Sequence, residues 1–444
     1  MRKQFQFAIF FLQTFTSRHK KHIFLAGAIG FFVTLFLIQV YPLYAKTIGR
    51  RQQKIAVVGR FYENTLPLSI QSQISLGLTR ITADGKVIPG LASSWEVDSN
   101  GTIYTFHLHP GLIFHDGKTF TASDINYRLR DATFDYVDKN TLKVTLKETY
   151  APLLSLLSQP LIRPNLVGLG MYKAIRLRRS EDIIEELTLE PLDSRLPILS
   201  YRFYPNKNSA ILAFKLGEVD ILQNLPDTAD LNQWKNINLK ETVQYDRYVG
   251  VFLNLKDPFL KEKEVRQALS YAIPYTKDWQ KVLTPISPLS WAYSQKIRLY
   301  EYDPDSAKKI LARNPISSDS ANLTLSTFPA LLPTAQMMVD AWKKVGLEVK
   351  VKVENSLTDN FQMFLLTQII PPDPDQYQYW QSTQEGTNIT NYANPKIDKL
   401  LEDGRKTPDV EKRKKIYADF QRYLVDDAPV VFLYYPKVYT VERK

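Results

Sequence analysis

The sequence predicts an α/β protein of two lobes, attached to a membrane by one N-terminal helix. Three observations predict it. The chain has 444 residues, whereas a single hydrophobic core stops growing near ~250–300 residues, so two lobes are expected. Hydrophobic periods of two and of 3.6 residues alternate along the chain with no internal repeat or low-complexity tract, the pattern of mixed strands and helices packed around a shared cleft. Finally, the stretch from Ile23 to Ala45 carries no charge and is bracketed by basic side chains.

Composition narrows the class. An apolar fraction of 44%, with 25 Tyr and 23 Phe, is enough for a packed globular body. The net charge of +11 points away from nucleic acid once it is divided. Ten of the 57 basic residues precede residue 61, where no Asp or Glu occurs, leaving 47 basic against 46 acidic residues in the body. A phosphate-binding groove needs its excess charge on the folded domain, and here the excess flanks an apolar segment. The absence of cysteine removes disulfides, thiolate nucleophiles, Cys-ligated zinc and a lipid-modified cysteine anchor together.

The 23 residues from Ile23 to Ala45 span roughly 34 Å as a helix, enough for a ~30 Å hydrocarbon core. A cleavable leader ending at Leu43-Tyr44-Ala45 is the competing reading, disfavoured by the length of the run and by the large Leu43 at a position usually occupied by a small residue. Five basic residues precede the span and five follow it, so charge alone leaves its direction open. The shorter run from Phe5 to Phe15 reads as interfacial.

Beyond the span, Tyr104, Phe106 and Leu108 alternate as a strand, and Phe114 and Phe120 flank the turn pair Asp116-Gly117. A helix is expected next, with Thr121 as N-cap and Asp124 three residues on. Val265, Ala268, Leu269, Ala272 and Ile273 recur at helical spacing until Pro274. Met338, Val339, Trp342 and Val345 form a helix face ended by Gly346, and Leu347, Val349, Val351 and Val353 alternate as a strand. A last long helix carries Ile416, Tyr417, Phe420 and Leu424 inward.

Several segments resemble, in order, the signature of the family 5 extracellular solute-binding proteins, the oligopeptide, dipeptide and nickel receptors of ABC importers. They are Leu91-Ala-Ser-Ser-Trp95-Glu-Val, Tyr104-Thr-Phe-His-Leu, Phe114-His-Asp-Gly-Lys with Thr121-Ala-Ser-Asp124, and Gly217-Glu-Val-Asp220-Ile. Val265-Arg-Gln-Ala-Leu-Ser-Tyr-Ala272, Tyr302-Asp-Pro-Asp-Ser-Ala, Pro372-Asp-Pro-Asp375, Asn394-Pro-Lys-Ile-Asp398 and Ala428-Pro429 continue the series. The resemblance covers nearly everything after residue 60. Beyond the tail and anchor of residues 1–53, read from the uncharged run, it implies a two-lobed type II periplasmic-binding-protein fold with 54–248 plus about 430–444 as the first lobe, about 84–160 as a subdomain inserted in it, and 249–429 as the second lobe. It also implies a solute enclosed between the lobes, and lobes lying on the extracytoplasmic side.

The resemblance also directs attention to Tyr127, Tyr377, Tyr379, Trp380, Asn388, Thr390, Asn391 and Tyr392 as cleft-lining residues, each of which has ordinary lobe packing as its alternative. On this basis Trp380→Ala is expected to weaken ligand binding more than folding. Peptide receptors of the family often hold the peptide's α-amino group with an Asp at the position of Ile370, so the charged amine loses its expected partner here. Gly168-Leu-Gly170-Met171-Tyr172 departs from the family's Gly-Thr-Gly-Pro-Tyr.

No catalytic constellation emerges. Asp373 and Asp375 lie two apart in a Pro-interrupted segment and read as turn residues rather than an acid/base pair. His107, His109 and His115 read as solvated or turn residues, and no phosphate loop, dinucleotide fingerprint or nucleophile elbow is present. The expectation is a monomeric, membrane-tethered receptor without cofactor or metal, passing a peptide-like or other small solute to ABC transporter permease subunits. A sensory module reporting ligand to a membrane partner is the alternative.

Overall fold

The computed structural model describes residues 19–21, 29–36, 38, 51–314 and 323–444. Of the expected membrane span, residues 29–36 and 38 are described, and they are helical with exposed apolar side chains. The remainder of the span and the run from Phe5 to Phe15 lie outside the described residues. Among the described residues no helix is long and apolar enough to cross a membrane.

Two separate sheets make the two lobes. The first has seven strands in the order β12-β19-β11-β1-β10-β9-β8. At its centre β1 (Gln52–Val58) runs parallel to both β10 (Ile198–Tyr204) and β11 (Ile221–Leu225). Being covered on both faces, β1 reads as an unbroken apolar run, Ile55, Ala56 and Val57 all being buried. β8 (Tyr172–Ser180) and β9 (Ile183–Pro191) form one antiparallel edge. On the other side β19 (Lys437–Arg443) is inserted between β11 and β12 (Ile237–Val243), antiparallel to both. Helix α1 (Leu68–Ile74) buries Ile70 and Ile74 on one face of the sheet. Helix α3 (Lys207–Lys215) buries Ala210, Ile211 and Phe214 on the other, its N-terminus capped by the Asn206 side chain, which accepts from the Ser209 amide.

Inserted in this lobe is the hairpin of β2 (Thr79–Ile81) and β3 (Val87–Pro89), then a four-stranded subdomain of order β4-β5-β7-β6. In β5 (Ile103–Leu108) every second residue points inward, and Tyr104, Phe106 and Leu108 meet Leu142, Val144 and Leu146 of β7 (Thr141–Leu146). β4 (Ala92–Val97) and β6 (Ala132–Asp138) flank them, and α2 (Leu153–Leu156) follows. The helix expected after Thr121 is a single 3-10 turn, Ala122–Asp124, closed by the Thr121/Asp124 capping box. It stops because Tyr127 is tied into the subdomain's own backbone: its hydroxyl shares its one proton between the Leu157 and Gln159 carbonyls, at 2.9 and 2.8 Å, and accepts from the Leu78 amide.

The second lobe is a six-stranded sheet of order β14-β18-β13-β17-β15-β16. Its centre is β13 (Arg247–Leu253), antiparallel to β17 (Met363–Ile369) and to β18 (Val430–Tyr435), with the short β14 (Gln280–Lys281) at the edge. β15 (Leu323–Thr327) and β16 (Val349–Val353) are parallel neighbours joined through helix α6 (Leu332–Lys344), where Gly346, at φ +91, turns the chain back into β16. The alternation of β13 feeds two cores. Val249, Val251 and Leu253 pack with α4 (Lys263–Tyr271), α5 (Pro304–Arg313) and α6, while Tyr248 and Phe252 pack with α7 (Tyr377–Trp380), α8 (Pro395–Lys406) and α9 (Val410–Asp427). Pairing with β13 puts β18 in the second sheet, so the chain returns to the first sheet only at Lys437, later than the boundary of about 430 read from the sequence.

Candidate functional site

The lobes are joined by two crossings, Gln244–Asp246 between β12 and β13 and Pro436 between β18 and β19, and the crossings are themselves tied together by the Gln244 amide donating to the Pro436 carbonyl at 2.9 Å. Two adjacent connections of this kind form a hinge. Beside the hinge lies a crevice of about 400 Å³, to which the first lobe contributes Thr82, Gly85 and Asn224 and the second lobe Ser287, Ser290 and Ile370. The Ile370 amide donates to the Asp246 carbonyl at 2.8 Å, so the buried Ile370 sits on the hinge itself.

Two larger chambers open farther out, where the subdomain faces the second lobe. One, of about 640 Å³, has Leu129, Leu146, Leu153 and Tyr150 on one side and Tyr377 and Arg405 on the other. The other, of about 600 Å³, lies between Trp95, Leu154 and Ser155 on one side and Trp291, Asp373 and Arg413 on the other. A clamp separates them. The Ala151 amide donates to the Arg405 carbonyl at 2.7 Å, filling one of the acceptors left open at the C-terminal end of α8. The Ser155 hydroxyl donates to Asp373 Oδ2 at 3.2 Å, and Lys406 pairs with Glu148 at 2.9 Å.

The seat of this clamp is a buried set of charges. Arg413 forks onto Asp373, Nη2 to Oδ1 at 2.7 Å and Nη1 to Oδ2 at 3.2 Å, and its Nε donates to the Gly404 carbonyl at 2.9 Å. Burial works against the Arg413 charge, but the Asp373 carboxylate outweighs it and raises the pKa of the guanidinium. Arg405 pairs with Asp375 Oδ2 at 2.9 Å and stacks 3.9 Å above the Tyr377 ring. Burial pushes the Asp375 carboxyl up, the nearby Arg405 offsetting only part of the effect, and it pushes the Tyr150 hydroxyl up to about 12. Read as turn residues, Asp373 and Asp375 concealed this pairing. The available signal was Arg405 and Arg413, two arginines eight positions apart, the second of them among the inward-facing residues of α9.

The residues singled out by the resemblance are distributed unevenly. Tyr377 lines the 640 Å³ chamber. The other seven line none of these three interlobe spaces. Tyr127 is tied into the subdomain as described. Tyr379 packs against the second-lobe core, and Trp380, 1% exposed, stacks with Phe252 at 6.3 Å and donates to Gln376 Oε1 at 3.2 Å. Asn388, Thr390 and Tyr392 form an internal knot in which the Asn388 Nδ2 donates to the Tyr392 carbonyl at 2.8 Å and its Oδ1 accepts from the Thr390 hydroxyl at 3.0 Å. Asn391, at φ +53, donates to Asn254 Oδ1 at 3.0 Å. Residues not foreseen as lining the spaces, Trp95, Tyr150, Trp291 and Arg405 among them, do line them. Of the histidines, His107 sits 3.7 Å from Glu96 and His115 Nε2 meets the Gly170 carbonyl at 3.0 Å. Gly168 and Gly170 are required by close backbone approach: a Cβ on either would lie 2.1 or 2.3 Å from the carbonyl oxygens of Ile74 and Gln73.

Comparison with known proteins agrees with this fold. The family described as bacterial extracellular solute-binding proteins, family 5 middle region, matches residues 86–167 and 193–389. The chain is 26% identical over 478 aligned residues to the oligopeptide-binding protein AppA of Bacillus subtilis, covering 88% of each chain. It is 24% identical to the di/tripeptide-binding protein 1 of Pseudomonas aeruginosa, covering 83% of this chain and 84% of that one. Among solved structures it superposes on NikZ of Campylobacter jejuni in complex with Ni(L-His), with a TM-score of 0.73, 24% identity and coverage of 88% and 94%.

Proposed function

Since this chain belongs to the bacterial extracellular solute-binding proteins of family 5, a family of binding proteins and not of enzymes, we propose that it captures a peptide-like small solute between its lobes and delivers it to an ABC importer. The observation that carries the reading is the hinge crevice. Two adjacent crossings let the lobes rotate about Gln244–Asp246 and Pro436, and the crevice between them draws its walls from both lobes. A solute that touches both walls binds the shut form more tightly than the open one, and so shifts the population toward the form a permease recognises.

The chemistry of the crevice favours a neutral polar solute or a peptide whose amine is held in an unusual way. Ile370 and Pro371 are apolar, the hydroxyls and amides of Thr82, Asn224 and Ser290 are neutral, and Asp246, the one carboxylate lining the crevice among the described residues, is paired with Arg247 at 2.9 Å. Tyr377 is the proposed contact from the second lobe in the outer chamber. The membrane tether over residues 23–45, with the lobes outside, is part of the same proposal and is supported by the uncharged run and by the exposed apolar helix at 29–36.

Differential scanning calorimetry against di- and tripeptide mixtures, paired with small-angle scattering, tests the reading. A rise in melting temperature with a fall in radius of gyration is expected, since a ligand at 100 times its Kd stabilises by about 2.7 kcal/mol. No shift with any peptide or small-solute mixture would refute it.

A further inference from the structure

The 600 Å³ chamber shares Gly85 and Leu289 with the hinge crevice, so the two spaces adjoin across the turn that links β2 and β3. That turn rests on the second lobe: a Cβ built on Gly85 would lie 3.5 Å from Trp291 Cδ1 and 3.7 Å from the Pro372 carbonyl. Tryptophans enter the chamber from both lobes, Trp95 on β4 of the subdomain and Trp291 of the second lobe. Each has a packing partner. Trp95 packs on Phe106 at 6.3 Å, and Trp291 lies 5.4 Å from the buried Arg413 guanidinium.

The polar groups of the inner wall are already spoken for. Asp373 accepts from both terminal nitrogens of Arg413, from the Asp375 amide and from the Ser155 hydroxyl, leaving the carboxylate saturated. The charges at the rim, Asp84, Lys86, Glu411 and Lys414, are exposed and of both signs, and Asp84 pairs with Lys86 at 2.9 Å. What the chamber offers a guest is therefore ring faces and aliphatic carbon, with no demand for charge.

We propose that the chamber between Trp95 and Trp291 is a subsite for an aromatic side chain of the solute, whose main chain lies in the hinge crevice. The proposal rests on the solute-binding reading above and adds the side-chain class. Because each wall belongs to a different lobe, a ring held there is gripped only in the shut form, so the subsite contributes to closure as well as to preference.

Calorimetric titration of the full chain with trialanine, Phe-Ala-Ala, Ala-Phe-Ala and Ala-Ala-Phe tests it. At least one phenylalanine peptide is expected to bind about tenfold more tightly than trialanine. Trp291→Ala is expected to bring the ratio of phenylalanine-peptide to trialanine affinity to about one, and Trp291→Phe, which keeps a ring, to retain most of it. Equal affinity for all four peptides, or an advantage that survives both Trp291→Ala and Trp95→Ala, overturns the subsite while leaving the solute-binding reading intact. Failure of every peptide to bind the wild-type chain overturns the peptide reading and the subsite together.

Discussion

The Ser155 hydroxyl reaches across the gap between the lobes to donate to Asp373 at 3.2 Å. This bond and the Ala151 amide on the Arg405 carbonyl close the molecule at a distance from the hinge crevice. The third contact of the clamp, Lys406 with Glu148, joins side chains that are 60% and 66% exposed, where solvent screens the attraction almost completely. Ser155→Ala should therefore shift the open-to-shut balance by about 1.5–3 kcal/mol toward open, the net worth of a hydrogen bond to a charged group, while Glu148→Gln should leave it unchanged. Interlobe fluorescence energy transfer without ligand measures both. An equal response to the two substitutions would contradict this ranking.

Arg413 is the fixed point of the second lobe's outer face. Removing it strands the Asp373 carboxylate, and an uncompensated buried charge costs about 3–5 kcal/mol. Urea unfolding of Arg413→Ala at pH 7 should show a loss of that size, seen as a lower midpoint with little change in slope.

Trp380→Ala is expected to act on folding, which reverses the expectation from sequence. The ring is 1% exposed and stacked with Phe252, so its removal leaves a cavity costing about 3–5 kcal/mol. Affinity per folded molecule, measured well below the melting transition, should stay within about twofold, a difference of roughly 0.4 kcal/mol.

Tyr392 donates its hydroxyl to Asp427 at 2.6 Å, where Lys263 and Asn394 also bond the carboxylate. Burial raises the Asp427 pKa, but these three partners outweigh it and leave the pKa below the ordinary 3.8. A depressed carboxylate contributes stability that is fully present above the unfolded value and is lost as pH falls through the folded one. Tyr392→Phe should cost about 1.5 kcal/mol at neutral pH and flatten the acid limb of the stability profile below pH 4. A profile parallel to that of the wild type would show that the hydroxyl does not hold the charge.

Much of this architecture is legible in the residues. Tyr104, Phe106 and Leu108, the helix face ending at Gly346, and the inward row of Tyr417, Phe420 and Leu424 follow from period alone, because one buried face imposes it. The helix after Thr121 failed because the cap motif reports only where a helix starts, and contacts of Tyr127 with distant backbone decide where it stops. The site was less legible still. Asn388, Thr390 and Tyr392 are polar residues in an exposed-looking segment, yet they satisfy one another and Asp427 inside the lobe. Conversely, Trp95 and Trp291 are 196 positions apart and come to line one chamber only through the docking of two lobes, a relation no local pattern carries.

The placement of β19 between β11 and β12 has a consequence for biogenesis. During vectorial synthesis the second lobe has all its strands once Tyr435 is available, whereas the first, begun some 380 residues earlier at Gln52, still has a gap in its sheet. Any chain truncated before Lys437 would leave β11 and β12 as open edges, the kind of template on which nascent chains aggregate.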